Sequence, residues 1–211
     1  MAASKMIVLG VVGGVASGKS LVSRRLEQLG ARVLDADRIG HRVLREPEVE
    51  RAIRRRWGDR VFDADGRVDR ARLAAIVFGG LPDHREELNY LEKLTHPRIR
   101  QSLRDTMTRM ARTDANSVLV LDVALLLEAG WDQLCDKILF VDAPRWMRLQ
   151  RAGQRGWTEA DFAAREAAQA SVESKRLRAN IVIDNSSTPE HTYEQLESVW
   201  RCLVADTADP C

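Results

Sequence analysis

The feature that most constrains the fold is an octapeptide near the N-terminus: Gly13, Gly14, Val15, Ala16, Ser17, Gly18, Lys19 and Ser20. It matches the pattern G-x-x-x-x-G-K-[ST] of a phosphate-binding P-loop. An apolar run over residues 6–12 precedes it, and a helical pattern over residues 21–29 follows it. The sequence therefore predicts a strand, a loop and a helix that together bind a nucleoside triphosphate. The loop alone does not distinguish a kinase from a GTPase or a motor.

The residue types in this loop suit phosphate chemistry. The glycines allow a tight turn that brings backbone N–H groups close to phosphate oxygens, and the following helix adds its positive end. We expect Lys19 to reach the outer phosphates of ATP and the Ser20 hydroxyl to contact Mg²⁺. The alternative is a glycine-rich turn with a chance lysine, which the flanking strand and helix disfavour.

Four later apolar runs, each ending in an acid, predict the remaining strands: residues 31–37, 118–122, 138–142 and 181–184. Nearly continuous apolar runs are typical of parallel strands buried on both faces. With helical crossovers between them, they predict an α/β fold with a doubly wound, five-stranded parallel sheet of the P-loop kinase type. We expect the functional crevice at the carboxyl ends of the strands, where Gly13, Asp37, Asp122 and Asp142 fall.

Two segments differ from this core, which we assign to residues 1–37, 111–144 and 180–211. Residues 38–110 show amphipathic helical patterns and hold 17 Lys and Arg against 12 Asp and Glu, which suggests a substrate-binding insert for an anion. Residues 145–179 are rich in arginine and include a capping box at Thr158. Few large apolar groups other than Phe162 follow it, so we expect a loosely attached helical lid, or else a basic surface helix.

Bulk composition excludes several classes. The 33 Lys and Arg nearly balance the 31 Asp and Glu, so global charge gives no argument for nucleic acid as a partner. The three cysteines lack metal-ligand spacing and indicate a reduced, intracellular setting. We see no signal peptide and no apolar run that could cross a membrane, so we expect a cytoplasmic protein. The oligomeric state is left open.

Two acids are candidates for chemistry beyond phosphate binding. Asp122 ends the third predicted strand, where P-loop proteins place a carboxylate near Mg²⁺. Asp37 ends the second, where a carboxylate could orient an acceptor hydroxyl and take its proton. The alternative for each is a turn or N-cap aspartate, which we prefer for Asp35. No N-K-x-D segment of the kind that GTPases use is present.

At this point the chain resembles the dephospho-CoA kinase family over nearly its whole length. Several segments carry the resemblance. Before the lid they are the P-loop, residues 35–41, residues 65–70 with Val77 and Phe78, the pair His96 and Pro97, and residues 121–130. In the lid and the last strand they are Arg151, Arg155, Gln169, Lys175 and residues 178–180 and 183–185. It implies ATP- and Mg²⁺-dependent phosphorylation of the ribose 3′-hydroxyl of dephospho-CoA, the last step of coenzyme A synthesis. Dephospho-CoA is then the small-molecule partner.

The resemblance also implies residue roles. Catalysis falls to Asp37, Lys19, Arg151 and Arg155. ATP contacts are expected from residues 13–18, Lys19, Ser20, Leu21 and Asn185, and metal contacts from Ser20 and Asp122. Contacts with dephospho-CoA are expected from Asp37, His41, Arg72, His96, Pro97, Leu125 and Leu126.

Four positions depart from the family pattern: Leu21, Ala124, Asn180 and Trp157. None removes a catalytic group, but Ala124 stands where proline is expected after the third strand.

Two alternatives remain open. One is another small-molecule P-loop kinase, such as a nucleoside monophosphate or shikimate kinase. The other is a nucleotide-dependent switch or binding module without turnover.

Overall fold

The computed structural model describes residues 6–78, 84–114, 117–123 and 125–208. The chain forms two compact units. The first comprises the chain up to Asp35 and from Met107 onward, and the second comprises Ala36–Thr106. Ala124, one of the departures from the family pattern, lies outside the described residues.

The first unit is built on a five-stranded sheet in the order β2-β3-β1-β4-β5. Its strands are β1 (Ile7–Gly13), β2 (Arg32–Asp35), β3 (Val118–Asp122), β4 (Lys137–Asp142) and β5 (Ile181–Asp184). Every pairing is parallel. All seven residues of the central strand β1 are buried, as an apolar strand covered on both faces requires. The predicted parallel sheet is confirmed.

The helices follow the strands along the chain. They are α1 (Lys19–Leu29), α2 (Ala36–Val43), α3 (Pro47–Trp57), α4 (Arg70–Val77), α5 (His84–Thr113), α6 (Arg145–Gly153), α7 (Glu159–Ala167), α8 (Val172–Leu177) and α9 (Pro189–Ala208). Two short 3₁₀ turns lie at Asp59–Val61 and Trp131–Leu134. No described helix has the length and apolar character needed to span a membrane.

One face of the sheet is covered by α1 and α9. Val22 and Leu26 of α1 and Leu196 and Leu203 of α9 pack with the strands in one buried cluster. Gly30 ends α1 in a left-handed conformation, and its N–H donates to the carbonyls of Glu27 and Leu26, as expected for a C-cap glycine. This packing fixes the axis of α1, and with it the direction in which the helix N-terminus points.

The second unit is helical, as the amphipathic patterns predict. Its apolar faces supply a core that includes Val49, Ile53, Trp57, Leu73 and Val77. The ring of Trp57 meets that of Tyr90 edge to face at 5.4 Å, and the indole N–H donates to Glu87 at 2.6 Å. These contacts join α3 to α5 within the unit.

The segment after β4 packs against the P-loop through one aromatic side chain. The predicted capping box at Thr158 is confirmed, with Asp161 as the reciprocal partner. Phe162 of α7 is fully buried and packs with Val15, Ala16 and Ala152. The expectation of a loosely attached helix stays a prediction, because Phe162 is the only residue of α7 that is buried.

Candidate active site

The backbone of residues 13–19 forms a tight turn at the carboxyl end of β1. Ala16 and Gly18 adopt positive φ angles of 59° and 103°. The Ser17 N–H donates to the Gly14 carbonyl at 3.1 Å, which closes the turn. Gly18 occupies the N-cap position of α1 and offers no side chain to its first turn. The N–H groups of Lys19 and Ser20 are therefore the candidates for phosphate oxygens at this helix end, since the N–H of Leu21 donates to the Gly18 carbonyl.

Arg151 and Asn185 hold the P-loop by hydrogen bonds to one of its carbonyl groups. The Ser17 carbonyl accepts hydrogen bonds from the Arg151 guanidinium at 3.1 Å and from the Asn185 side-chain amide at 2.7 Å. Arg151 also donates to the Asn185 carbonyl at 2.9 Å, and the Thr192 hydroxyl donates to the Asn185 side-chain oxygen at 3.0 Å. These bonds draw a loop carbonyl away from the phosphate side. The sequence linked Asn185 with ATP, but it gave no sign of Thr192.

Gly18 is required by this arrangement for two separate reasons. Its φ of 103° strains any L residue, and a Cβ placed there would lie 2.1 Å from the Asn185 side-chain nitrogen. We expect Gly18→Ala to lower the melting temperature and to abolish ATP binding in calorimetry, because Asn185 must move and release the Ser17 carbonyl. The matched control is Gly66→Ala, where φ is 74° but nothing lies within 4 Å.

That control should cost only the backbone strain, about 1–2 kcal/mol, and should leave ATP binding intact. Equal losses in both variants would mean that the clash with Asn185 is not what makes Gly18 necessary.

Lys19, the first residue of α1, is surrounded by competing charges. Its ammonium lies 3.5 Å from the Gly14 carbonyl oxygen. Burial, followed by the nearby charge of Lys175, lowers the pKa of Lys19 to about 8, while Asp122 and Glu128 oppose the shift. The carboxylate of Asp122 is thus close enough to act on Lys19. Binding of phosphate would stabilise the charged form of such a lysine, because phosphate supplies the negative charge that its surroundings lack.

Lys175 is the second lysine of this region, and it is almost completely buried. Its ammonium donates to the Gln169 side chain at 2.8 Å and pairs with Glu128 at 3.1 Å. The same Glu128 oxygen accepts the N–H of Ala170 at 2.7 Å. Glu128 therefore joins the chain after β3 to the residues that lead into α8. The family resemblance pointed to Gln169 and Lys175, but their link to Glu128 was missed.

The lowered pKa of Lys19 predicts a pH dependence for ATP binding. Below about pH 8 the ammonium is charged in the free protein, and above that value it loses its proton. We expect the ATP dissociation constant to be flat below pH 8 and to rise above it, by about tenfold per pH unit at most. Calorimetric titrations from pH 7 to 9.5 at constant ionic strength would measure this rise.

Lys19→Met should bind ATP weakly at every pH in this range, with no such rise. Lys19→Arg should keep its charge and give a flat profile, because arginine does not titrate below pH 12. A rise of the wild-type kind in either variant would assign the pH dependence to another group.

The carboxyl edge of the sheet gathers the predicted acids in register. Asp35 of β2 lies level with Asp122 of β3, and Asp142 of β4 lies level with Asp184 of β5. Asp142 forms an ion pair with Arg176. Asp184 accepts the N–H of Ser186 at 2.8 Å, and hydrogen bonds from Ser186 lower its pKa. Both of these acids thus have structural partners, whereas Asp122 acts on Lys19.

Arg155, expected to be a lid arginine, lies just beyond the end of α6 and is exposed. Its guanidinium is 5.9 Å from the centre of the Trp157 ring, and that of Arg165 is 4.1 Å from the same ring. Trp157 itself packs against the cluster around Phe162. Burial and the charge of Arg155 lower the pKa of Arg151, so the two arginines are near neighbours. They concentrate positive charge beside Ser17, where phosphate groups would need it.

Several predicted contacts with the acceptor lie in the second unit. Asp37 is exposed in the first turn of α2. Arg72 donates to the Phe62 carbonyl at 2.7 Å and pairs with Asp69 at 3.1 Å. His96, with the neighbouring Pro97, lies within α5, and burial lowers its pKa. His41 is partly buried in the last turn of α2.

The predicted leucine contacts fall in the first unit and differ from each other. Leu126 is 1% exposed, and its side chain packs so tightly on β1 that a Cβ at Gly10 would lie 2.7 Å away. Leu125 is partly exposed. The structure thus gives Leu126 a core position and leaves only Leu125 with surface for a ligand.

The metal ligands expected at Ser20 and Asp122 belong to the first unit. Ser20 is exposed in the first turn of α1, and Asp122 is partly buried at the end of β3. Across the described ranges, no group of three or more His, Cys, Asp or Glu side chains forms a dedicated metal cage. Mg²⁺ bound with a nucleotide needs no such cage, because phosphate oxygens and water supply most of its ligands.

Comparison with known proteins agrees with this geometry. A family model described as dephospho-CoA kinase matches residues 7–190. The dephospho-CoA kinase of Carboxydothermus hydrogenoformans is 37% identical over 195 residues, which cover 91% of this chain and 92% of that protein. That of Thermobifida fusca is 38% identical over 200 residues, covering 94% of this chain and 96% of its own.

Solved structures show the same fold. The crystal structure of a Thermus thermophilus protein, 32% identical, matches 96% of this chain and 98% of its own with a TM-score of 0.78. The dephospho-CoA kinase from Campylobacter jejuni, 21% identical, shares the fold with a TM-score of 0.63, over 93% of this chain and 96% of its own. Because the family model spans most of the sequence and relatives above 30% identity cover more than nine-tenths of it, the chain belongs to the dephospho-CoA kinase family.

Proposed function

We propose that this protein transfers the γ-phosphoryl group of ATP to the ribose 3′-hydroxyl of dephospho-CoA and so forms coenzyme A and ADP. The observation that carries the proposal is a family match over residues 7–190 on a chain whose P-loop has phosphate-binding geometry. Phosphoryl transfer needs little covalent chemistry from the protein. It needs the reacting oxygens placed in line and the developing charge neutralised.

The triphosphate is held by the loop and by Lys19. Backbone N–H groups around Gly18 contact the inner phosphates, and the Lys19 ammonium contacts the outer ones. Leu21 is left out of the phosphate contacts that we propose, because its N–H donates to the Gly18 carbonyl at 2.9 Å. Arg151 and Arg155 add positive charge near Ser17 and neutralise charge that develops on the transferred group.

Mg²⁺ fits the oxygen ligands that this site offers. Ser20 supplies a hydroxyl and Asp122 a carboxylate, both hard ligands that this ion prefers. When bound, the ion screens negative charge on the phosphate oxygens. Asp122 also holds Lys19 by its charge, so the same carboxylate would orient the two cationic groups at the outer phosphates.

Asp37 is the group that we assign to the acceptor. It follows the end of β2 by two residues. A carboxylate there can accept a hydrogen bond from the ribose hydroxyl and take its proton as the oxygen attacks. His41, Arg72, His96, Pro97 and Leu125 are the further acceptor contacts that we propose.

A transfer assay against a panel of acceptors tests this function. Purified protein is given ATP, Mg²⁺ and, in turn, dephospho-CoA, nucleoside monophosphates or shikimate, and products are identified by mass. We expect one phosphate to be added to dephospho-CoA only. Lys19→Ala, prepared in parallel, controls for contaminating kinases. Robust transfer to another acceptor, with none to dephospho-CoA, would overturn the proposal, and ATP binding without any transfer would indicate a binding module.

A further inference from the structure

We infer that Arg148 is a positioning residue for phosphate binding, which fixes the P-loop backbone and is itself held by Glu166 of α7. The ligand in this inference is ATP, so it rests on the proposed function. It concerns the loop's support and not the acceptor. It gives α7 a specific part in ATP binding, the pairing of Glu166 with Arg148.

Arg148 connects two loops at the carboxyl edge of the sheet. Its side chain is almost fully buried, with the residue 4% exposed. Its Nε donates to the Ala143 carbonyl at 3.1 Å, and one terminal nitrogen, Nη1, donates to the Val15 carbonyl at 3.3 Å. Ala143 follows β4 directly, and β4 is the neighbour of β1. A single rigid guanidinium thus sets the position of the P-loop relative to the end of the next strand.

The hydrogen bond from Arg148 to Val15 matters for phosphate binding because it occupies a carbonyl group of the P-loop. A P-loop binds anions with its N–H groups, so its carbonyls must point elsewhere and find other donors. Arg148 is the donor for Val15, as Arg151 and Asn185 are for Ser17. The approach is close, since a Cβ at Gly14 would lie 2.7 Å from Nη1. The absence of a side chain at Gly14 therefore leaves space for the Arg148 guanidinium, in addition to allowing the tight turn.

Glu166 of α7 neutralises the positive charge of Arg148. Glu166 places one oxygen 2.6 Å from Nη1 of Arg148 and its other oxygen 3.0 Å from Nε of Arg145. Both guanidinium groups lie near the Phe162 ring, at 5.6 Å and 5.3 Å from its centre. A buried charge is stable only with its partner present, so undocking of α7 would destabilise Arg148 where it supports the loop. ATP binding and the docking of α7 are therefore linked, each favouring the other.

Arg145 provides a matched control within the same cluster. Arg145→Met and Arg148→Met each remove one arginine from Glu166 and Phe162, but only Arg148 bonds to the P-loop. We expect Arg148→Met to weaken ATP binding about 10- to 100-fold in calorimetry, and Arg145→Met to leave it close to wild type. Hydrogen exchange followed by mass spectrometry should show faster exchange in residues 13–18 and in α7 for Arg148→Met only.

Arg148→Lys separates charge from geometry. A lysine keeps a cation for Glu166, yet its single ammonium cannot replace the planar fork that reaches Ala143 and Val15 together. We expect ATP to bind about tenfold more weakly, with faster exchange in residues 13–18 and slow exchange retained in α7. This variant also serves if Arg148→Met does not fold, which thermal unfolding of each protein would reveal.

Several outcomes would overturn the inference. Wild-type ATP affinity in Arg148→Lys would show that the two carbonyl contacts are not needed. Equal weakening in Arg145→Met and Arg148→Met would trace the effect to the pairing with Glu166 alone. Because ATP affinity and exchange are measured without an acceptor, wild-type protein that binds ATP but does not phosphorylate dephospho-CoA would refute the proposed function and leave this inference standing.

Discussion

We expect Asp37→Asn to lower kcat for transfer to dephospho-CoA by about 10²- to 10⁴-fold, the range typical for loss of a general base. Asparagine has nearly the same shape as aspartate but cannot take the proton of the attacking hydroxyl. ATP affinity should be unchanged, because Asp37 is assigned to the acceptor and the loop is built from other residues. Steady-state kinetics with both substrates varied, together with ATP calorimetry, would measure the two quantities separately.

Asp35→Asn is the matched control for this prediction. It removes the same charge two residues earlier, at the end of β2. We expect kcat to remain near the wild-type value, because Asp35 is assigned a structural role. If Asp37→Asn turned over as fast as wild type, the assignment of Asp37 as proton acceptor would be wrong. A loss confined to Asp35→Asn would move that role to Asp35.

Lys19→Ala is the second variant for which we expect a large effect. ATP binding and transfer should fall together, with kcat/KM lowered by about 10²- to 10³-fold or more, because Lys19 acts on the phosphates in both the ground and the transition state. Since burial disfavours the charged lysine, its removal should leave the melting temperature of the ligand-free protein unchanged or raised. Calorimetry, steady-state kinetics and thermal unfolding would test the three parts.

Lys137→Ala provides the comparison for the loss of a lysine. Lys137 begins β4, at the amino edge of the sheet, and pairs with Asp206 of α9. The length of a six-residue strand, about 20 Å, separates it from the edge that holds the P-loop. We expect wild-type ATP affinity and turnover in this variant. Undiminished turnover in Lys19→Ala would contradict the role given to the P-loop lysine.

The features that the sequence predicted correctly are local ones. The P-loop, the five parallel strands and the capping box at Thr158 are each visible in a few consecutive residues. Apolar runs identify buried strands, and caps identify helix ends, because both depend on short-range geometry. The strand order β2-β3-β1-β4-β5 was not predicted, because it depends on which strands pair across the sheet and not on any single run of residues.

The features that the sequence did not predict are contacts between distant residues. Glu128 meets Lys175 across 47 positions of the chain, and Arg148 meets Glu166 across 18. In a sequence, charged residues of this kind look like solvated surface residues. Hydrophobic periodicity shows which face of a helix or strand is buried, but it does not show which distant residue a charged side chain pairs with. The packing of α7 on the P-loop was missed for a related reason. Phe162 was noted as an exception, but Val15 and Ala16, which cover its ring, are residues of the P-loop itself.

The support of the P-loop has a consequence for the synthesis of the protein. The motif occupies residues 13–20, yet the side chains that hold its carbonyls are Arg148, Arg151 and Asn185. A ribosome adds these residues long after the motif has left the exit tunnel, and β5, which precedes Asn185, is the last of the five strands made. The nascent chain therefore carries a complete motif without a complete binding site, and ATP cannot assist its folding until the chain has been translated past Asn185.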